Sequence, residues 1–161
     1  MRMGKYARAG VPAPPKPQSA GNFFLAMDRE LERTDQGAKW LQNPGVASCV
    51  LDAIDRGETR AHYQVHAFVI MPNHVHVLIE PLVEPVRSLR ALKGSSAREA
   101  NRILGRQGRP FWQDESFDHW VRNLAELQRI RNYIEQNPVK AGLVHRAEDW
   151  AWSSATPQRA G

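Results

Sequence analysis

Two histidines, His74 and His76, stand two residues apart in the run Met71-Pro72-Asn73-His74-Val75-His76-Val77-Leu78-Ile79. Side chains along a strand alternate between its faces, so both imidazoles project from one face and Val75, Val77 and Ile79 from the other. The valine face can join a core. The histidine face then holds two imidazoles close enough to grip one metal ion, and imidazole is the commonest side-chain ligand. The same pattern suits a partly buried polar edge, and the pair alone does not choose between the two.

A second candidate lies late in the chain. Residues 124–136 carry Leu124, Leu127, Ile130 and Ile134. At about 100° per residue, Leu127, Ile130 and Ile134 form one apolar helical stripe. Tyr133 and Asn137 are four residues apart, so phenol and carboxamide point the same way beside that stripe. A boundary tyrosine ordinarily buries its ring and shows its hydroxyl to water, and an asparagine at a helix end ordinarily caps it. Placed opposite the histidines, the same residues read differently. Two imidazoles and an amide oxygen can hold a divalent ion with open positions, facing a tyrosine one turn away. With a reference pKa of about 10, tyrosine is a poor nucleophile at neutral pH. A metal that polarises a phosphate compensates for this. The combination is a phosphodiester transesterification site, in which a phosphotyrosine conserves the bond energy so that a strand can be cut and rejoined.

Charge points the same way. The net charge is +5 and the pI about 9.8. Residues 84–112 hold Arg87, Arg90, Lys93, Arg98, Arg102, Arg106 and Arg109 against only Glu84 and Glu99. Arg87, Arg90 and Lys93 fall at steps of three on a helix surface. Such a cluster suits a phosphate backbone through counterion release, although it is also an ordinary solvated helix face. Trp112 follows directly, and an aromatic face beside cations can stack an unpaired base. The expected DNA-binding set is therefore Arg87, Arg90, Lys93, Arg98, Arg102, Arg109 and Trp112.

Composition removes other classes. Of 161 residues, 42% are apolar and 24% charged, which fits one globular domain. The single Cys49 allows no internal disulfide and no cysteine zinc cluster, and its apolar neighbours make it a core residue. No run approaches the roughly 18 apolar residues of a membrane span. The basic N-terminus lacks an apolar signal core. The expected setting is cytoplasmic and nucleoid-associated. The other histidines (His62, His66, His119, His145) receive no catalytic role. His66 reads as a satisfied core residue and His119 as the best auxiliary. Asp118 and Glu126 can assist, but no spacing requires it.

The elements that must position these residues follow from local signals. Residues 1–20 are basic and proline-rich, a tail unable to bury a core, leaving 21–161 as the domain. Phe23 to Leu41 reads as mostly helical with a break near Asp35-Gln36-Gly37. Asn43-Pro44 caps a helix that Gly57 can end. Tyr63–Met71 and His74–Glu80 form a hairpin around Pro72-Asn73. Val86–Leu104 is a helix stopped by Gly105. Phe117–Arg122 is a short strand, and Asn123 with Glu126 opens the tyrosine helix. Pro138 is expected to end that helix near Asn137. The tail from Val144 to Ala155, with Trp150 and Trp152, is expected to pack back on the domain.

Several segments together resemble the HUH single-tyrosine transposases, and most closely their REP-associated tyrosine transposase branch. "AFVIMPNHVHVLIEP" resembles the family's histidine hairpin and "LKGSSAREANRILG" its basic helix. "FWQDESFDHWVRN" resembles the segment leading to the tyrosine helix. "YIEQNPVKAGLV" and "EDWAWSSA" resemble the tyrosine helix and C-terminal signature. The resemblance covers about residues 22–155. It implies an α+β fold, a ferredoxin-like antiparallel sheet with helices packed on one face. It implies His74, His76 and Asn137 as ligands of Mg²⁺ or Mn²⁺ and Tyr133 as the nucleophile. It also implies single-stranded DNA as substrate, an enzyme joined to the 5′ phosphate, a freed 3′ hydroxyl, and hairpin-forming palindromic repeats as targets. Monomer and homodimer both stay open.

One departure stands out. The family begins with a strand before the helix that matches Phe23–Arg33, and here that place is held by "VPAPPKPQSAG", poor strand material. The expectation is a sheet lacking its first strand, or a truncated copy. A catalytically inactive binder of structured single-stranded DNA is therefore the alternative to the strand transferase. A nuclease in which water replaces tyrosine is a third reading.

Overall fold

The computed structural model describes residues 23–28, 39–112 and 117–159; for 23–28 and 117–119 it describes the backbone alone. The proline-rich segment 1–20 lies outside the described residues. Four strands, β1 (Phe23–Asp28), β2 (Tyr63–Ile70), β3 (His74–Pro81) and β4 (Phe117–Trp120), form one sheet in the order β2-β3-β1-β4. Every neighbouring pair is antiparallel. Helix α1 (Pro44–Thr59) joins β1 to β2 and α2 (Pro85–Ile103) joins β3 to β4, with α3 (Leu124–Lys140) following. This is the ferredoxin-like β-α-β-β-α-β order.

The missing-strand expectation is overturned. β1 sits inside the sheet, paired with β3 from Phe23↔Ile79 to Asp28↔His74 and with β4 from Phe23↔Trp120 to Ala26↔Phe117. The strand is supplied by Phe-Phe-Leu-Ala-Met-Asp, the segment read as the start of a helix. A continuous apolar run carries no alternation, so its period cannot separate an inner strand from a helix. Leu, Ala and Met are good helix formers besides. Pairing on both edges decides what local preference leaves open.

Two cores cover the two faces of the sheet. Val75, Val77 and Ile79 meet Val46, Val50, Ile54, Leu89 and Leu92 of α1 and α2 on one face. Ala67, Val69 and Leu78 meet Ile130 and Ile134 of α3 on the other. The expected one-face layering holds for α1 and α2 only; α3 takes the opposite face, because its stripe is the partner that the second set of apolar strand residues needs. A bulge between Val65 and Ala67 shifts the β2 register and keeps both sets facing correctly.

The caps behave as read. The Asn43 side chain accepts from Gly45 N at 2.9 Å and Val46 N at 3.4 Å, with Pro44 as the first helical residue. Gly105 ends α2 with φ +65°. Gly57 does not end α1. It lies buried inside the helix, where a Cβ would come within 2.1 Å of the Tyr63 hydroxyl oxygen. The glycine is needed for close packing, not for a turn. Cys49 is buried as expected, and burial pushes its thiol up to about 11.

The C-terminal segment packs back on the outer edge of β2. Ile70 N donates to Trp152 O at 2.8 Å, Trp150 Nε1 to Ile70 O at 3.0 Å and Ser154 N to Phe68 O at 3.0 Å. These bonds occupy backbone groups that an edge strand would otherwise expose.

Candidate functional site

His74 and His76 stand on the face of β3 that meets α3, and both are buried. Their ring centroids lie 4.8 Å apart with 67° between planes. His74 Nδ1–H donates to Asn73 Oδ1 at 2.8 Å. That bond selects the tautomer whose Nε2 carries the lone pair, the usual device for aiming a ligating imidazole. Burial, and then the neighbouring His74, pull the His76 pKa down to about 3. His76 is thus neutral at physiological pH, as a metal ligand must be.

Helix α3 brings the phenol to this pair. The Asn123 side chain accepts from Glu126 N at 2.9 Å, and the Glu126 carboxylate accepts from Arg122 N at 2.7 Å. Glu126 is accounted for by this cap. Ile130 and Ile134 then seat the helix on Ala67, Val69 and Leu78, with Leu127 and Tyr133 packed at the margin. The half-buried Tyr133 ring lies 5.4 Å from His76, edge-on at 60°.

Pro138 does not stop α3. The helix continues to Lys140, and Ala141 N reaches Asn137 O at 3.0 Å. Proline forfeits one intrahelical donor, but it is buried and only one turn from the helix end, where little ladder remains to lose. Asn137 is consequently a half-buried residue within the helix, one turn beyond Tyr133, rather than a terminal cap. Lys140, which the expected early end had hidden, places its Nζ 5.2 Å from the Tyr133 ring centroid. Its signal in the sequence is the seven-residue spacing from Tyr133, which returns to the same helix face.

Among the described residues, no group of three or more His, Cys, Asp or Glu is placed to hold a metal ion. A site here would draw on a mixed donor set, the imidazoles of His74 and His76 with the Asn137 carboxamide of the neighbouring helix. Nitrogen and amide oxygen donors of this kind suit several divalent ions.

The cationic helix lies elsewhere. α2 packs on the face opposite to the histidines and Tyr133. Arg87, Arg90, Arg98, Arg102 and Arg109 are exposed and Lys93 half-buried. Trp112 leaves the expected DNA-binding set. It is 8% exposed and its Nε1 donates to Ser96 Oγ at 2.9 Å, so its ring is core material with its one donor satisfied. His66 is not a core residue but half-buried at the β2 bulge, 3.3 Å from Glu80. The His119 backbone pairs with Phe24 in β4, and its side chain, like that of Asp118, lies outside the described atoms. A cavity of about 590 Å³ opens by Asp55, His66, Arg131 and Arg159. It holds none of the site residues; of its lining groups Arg159 pairs with Asp55 at 2.9 Å and His66 lies 3.3 Å from Glu80.

A family model described as "Transposase IS200 like" matches residues 33–137, from ahead of the hairpin to Asn137. This chain belongs to the IS200-like transposase family. It is 27% identical over 92 residues to the REP-associated tyrosine transposase of Escherichia coli K12, covering 57% of this chain and 54% of that protein. It is 29% identical over 111 residues to a REP-associated homologue from Haemophilus influenzae, covering 60% of this chain and 62% of that protein. The chain thus aligns with less than two thirds of the length of either relative. Among solved structures, a REP-associated tyrosine transposase bound to a REP hairpin superposes with a TM-score of 0.64 at 21% identity, over 88% of this chain and 81% of that one. A transposase from Deinococcus radiodurans gives 0.52 at 21% identity, over 73% and 90%. The fold of this family is the fold described above. No helix among the described residues is long and apolar enough to cross a membrane.

Proposed function

We propose that this chain is a metal-dependent transposase that cuts and rejoins single-stranded DNA through a 5′-phosphotyrosine on Tyr133. The observation that carries the reading is the Tyr133 ring held 5.4 Å from His76 by two elements remote in sequence. His74, His76 and Asn137 would hold Mg²⁺ or Mn²⁺. When bound, the ion polarises the attacked phosphate and offsets its charge.

The chain's own residues do the rest. Asn73 fixes the His74 tautomer, and burial keeps His76 neutral. The stripe on α3 presents the phenol from a rigid element, so little reorganisation is left for the reaction itself. The Tyr133 oxygen forms a bond to phosphorus as the bond from phosphorus to the 3′ oxygen breaks. The phenol proton passes to solvent and the leaving oxygen gains one, which yields a 3′ hydroxyl. Rejoining reverses the exchange without a nucleotide cofactor. The exposed cations of α2 would hold the phosphate backbone of the strand outside the site. A hairpin-forming repeat is the substrate class we favour, because the solved relative of the same fold carries a REP hairpin.

The test is a labelled hairpin oligonucleotide incubated with the protein in Mg²⁺, in Mn²⁺ or in chelator. The expected result is a denaturant-resistant protein–DNA adduct with metal, absent in chelator and in Tyr133→Phe. Cleavage that survives Tyr133→Phe would establish a water-using nuclease instead. Binding with no adduct under either metal would leave a non-catalytic binder of structured single-stranded DNA.

A further inference from the structure

Lys140 sits seven residues after Tyr133, and α3 carries it past Pro138 onto the same helix face. Seven residues correspond to about 10 Å of axial rise. An exposed lysine ordinarily extends into water; here the side chain turns back along the helix until its ammonium is 5.2 Å from the Tyr133 ring centroid. Tyr133, Asn137 and Lys140 thereby share one face of α3, with Tyr133 against His76, and Lys140 remains exposed. A cation over a ring contributes modestly to stability at an exposed site. That modest gain leaves unexplained why a positive charge is held where the phenol must meet a phosphate.

We propose that Lys140 is a further substrate-contacting residue, whose ammonium binds a non-bridging oxygen of the phosphate that Tyr133 attacks. The inference rests on the strand-transfer reading and adds a substrate contact to it. Lysine is a point charge on a flexible stem with rotatable donors. It can leave the ring face and follow the phosphate as charge builds on it, without any proton transfer of its own. The imidazoles lie on one side of the phenol, with the ring of His76 edge-on to it, while the ammonium lies over the ring face. With an ion held at His74 and His76, a phosphate beside the phenol would be drawn both to that ion and to the ammonium.

Two measurements test this and separate it from the parent reading. In a Tyr133→Phe background, which binds without reacting, single-strand affinity is measured as a function of salt with and without Lys140→Met. Removing the partner of one phosphate lowers the slope of log affinity against log salt by about 0.7. In the tyrosine-bearing protein, Lys140→Met is expected to slow adduct formation at saturating DNA about 10- to 100-fold, with Lys140→Arg within several-fold of the parent. Lys140→Gln and a thermal melt control for folding. An unchanged slope overturns the proposal whatever the rate does. A lowered slope with an unchanged rate assigns the lysine to some other phosphate and overturns it too. If the unmodified protein forms no adduct, the strand-transfer reading fails by itself, and the slope still decides whether Lys140 meets phosphate.

Discussion

The Tyr133 ring meets His76 edge-on, centroids 5.4 Å apart, although the hairpin bearing one and the helix bearing the other are separated by a helix packed on the opposite face of the sheet. The meeting follows from two apolar patterns that have no chemistry in them. Leu78, Ala67 and Val69 leave an apolar strip on the histidine face, and Ile130 and Ile134 cover it. Tyr133 rides at the margin of that packing, so its place opposite His76 is set by the core beneath it.

Asn73 should matter to metal binding although it is proposed as no ligand. Its side chain accepts from His74 Nδ1–H at 2.8 Å, and second partners of ligating histidines typically change metal affinity by about 10- to 100-fold. Asn73→Ala is expected to weaken Mn²⁺ binding roughly tenfold by calorimetry, with His76→Ala abolishing it. Equal affinity in Asn73→Ala and the parent would show that packing alone orients the ring.

The metal-free protein should lose stability in acid through His76. In the unfolded chain this group takes a proton near pH 6.5, and in the fold burial and His74 delay it to about 3. Between those values the unfolded state binds more protons, so stability falls as pH falls. The contribution is complete above about 6.5, is lost progressively below it and levels off near 3. One fully coupled group gives a slope of up to about 1.4 kcal/mol per pH unit. Urea unfolding in chelator at about pH 7 and at about pH 4.5, either side of the unfolded-state titration, should show a smaller acid loss for His76→Leu than for the parent. Identical losses would show that other groups dominate.

Much of this was legible in the residues, and the failures have physical causes. The hairpin, the Asn43 and Asn123 caps and the apolar stripe of α3 rest on local chemistry, and local chemistry is written in sequence. β1 was not legible, because Phe23–Met27 has no alternation and only its two partner strands make it a strand. Pro138 misled in the same way: the backbone preference before proline is real, but burial of its ring outweighs it so near the helix end. That one misreading hid Lys140. Trp112 followed cations in sequence yet found a buried hydroxyl, which sequence adjacency cannot reveal.

Gly57 should be a fixed requirement of the α1–β2 junction. Tyr63 is buried against it and donates from Oη to Ile54 O at 3.0 Å. A Cβ at position 57 would meet the phenol oxygen at 2.1 Å, and the buried ring is held by that hydrogen bond. Gly57→Ala is expected to destabilise by about 1–3 kcal/mol, despite the better helix propensity of alanine. Tyr63→Phe should cost about 1 kcal/mol through the missing hydrogen bond. In the double variant, removing the hydroxyl should recover part of the alanine penalty. Chemical denaturation measures all three, and strict additivity would show that the alanine penalty comes from the ring carbons of Tyr63, 2.2 and 2.7 Å from that Cβ, rather than from its hydroxyl.

The cations of α2 and of the segment that follows it should divide by position. Its C-terminal end lies at the hairpin-turn end of the sheet: Leu41 N bonds to Pro72 O at 3.1 Å, α1 starts just beyond, and Ile103 approaches Gly45. Its N-terminal end lies beside Leu82, where the backbone leaves β3 for the far side. A strand running from Tyr133 round the Pro72-Asn73 turn therefore meets Arg98, Arg102 and Arg109 before Arg87 and Arg90. The ion pair of Arg102 with Glu99, 3.1 Å apart on the surface, is weak enough to yield to phosphate. Replacing Arg102 and Arg109 by Gln should lower the salt slope of single-strand binding by about 0.7 for each phosphate that is no longer neutralised. Replacing Arg87 and Arg90 should change it less. Salt titrations of both double variants decide the matter, and a larger effect of the Arg87 and Arg90 pair would put the strand across the far end of the helix.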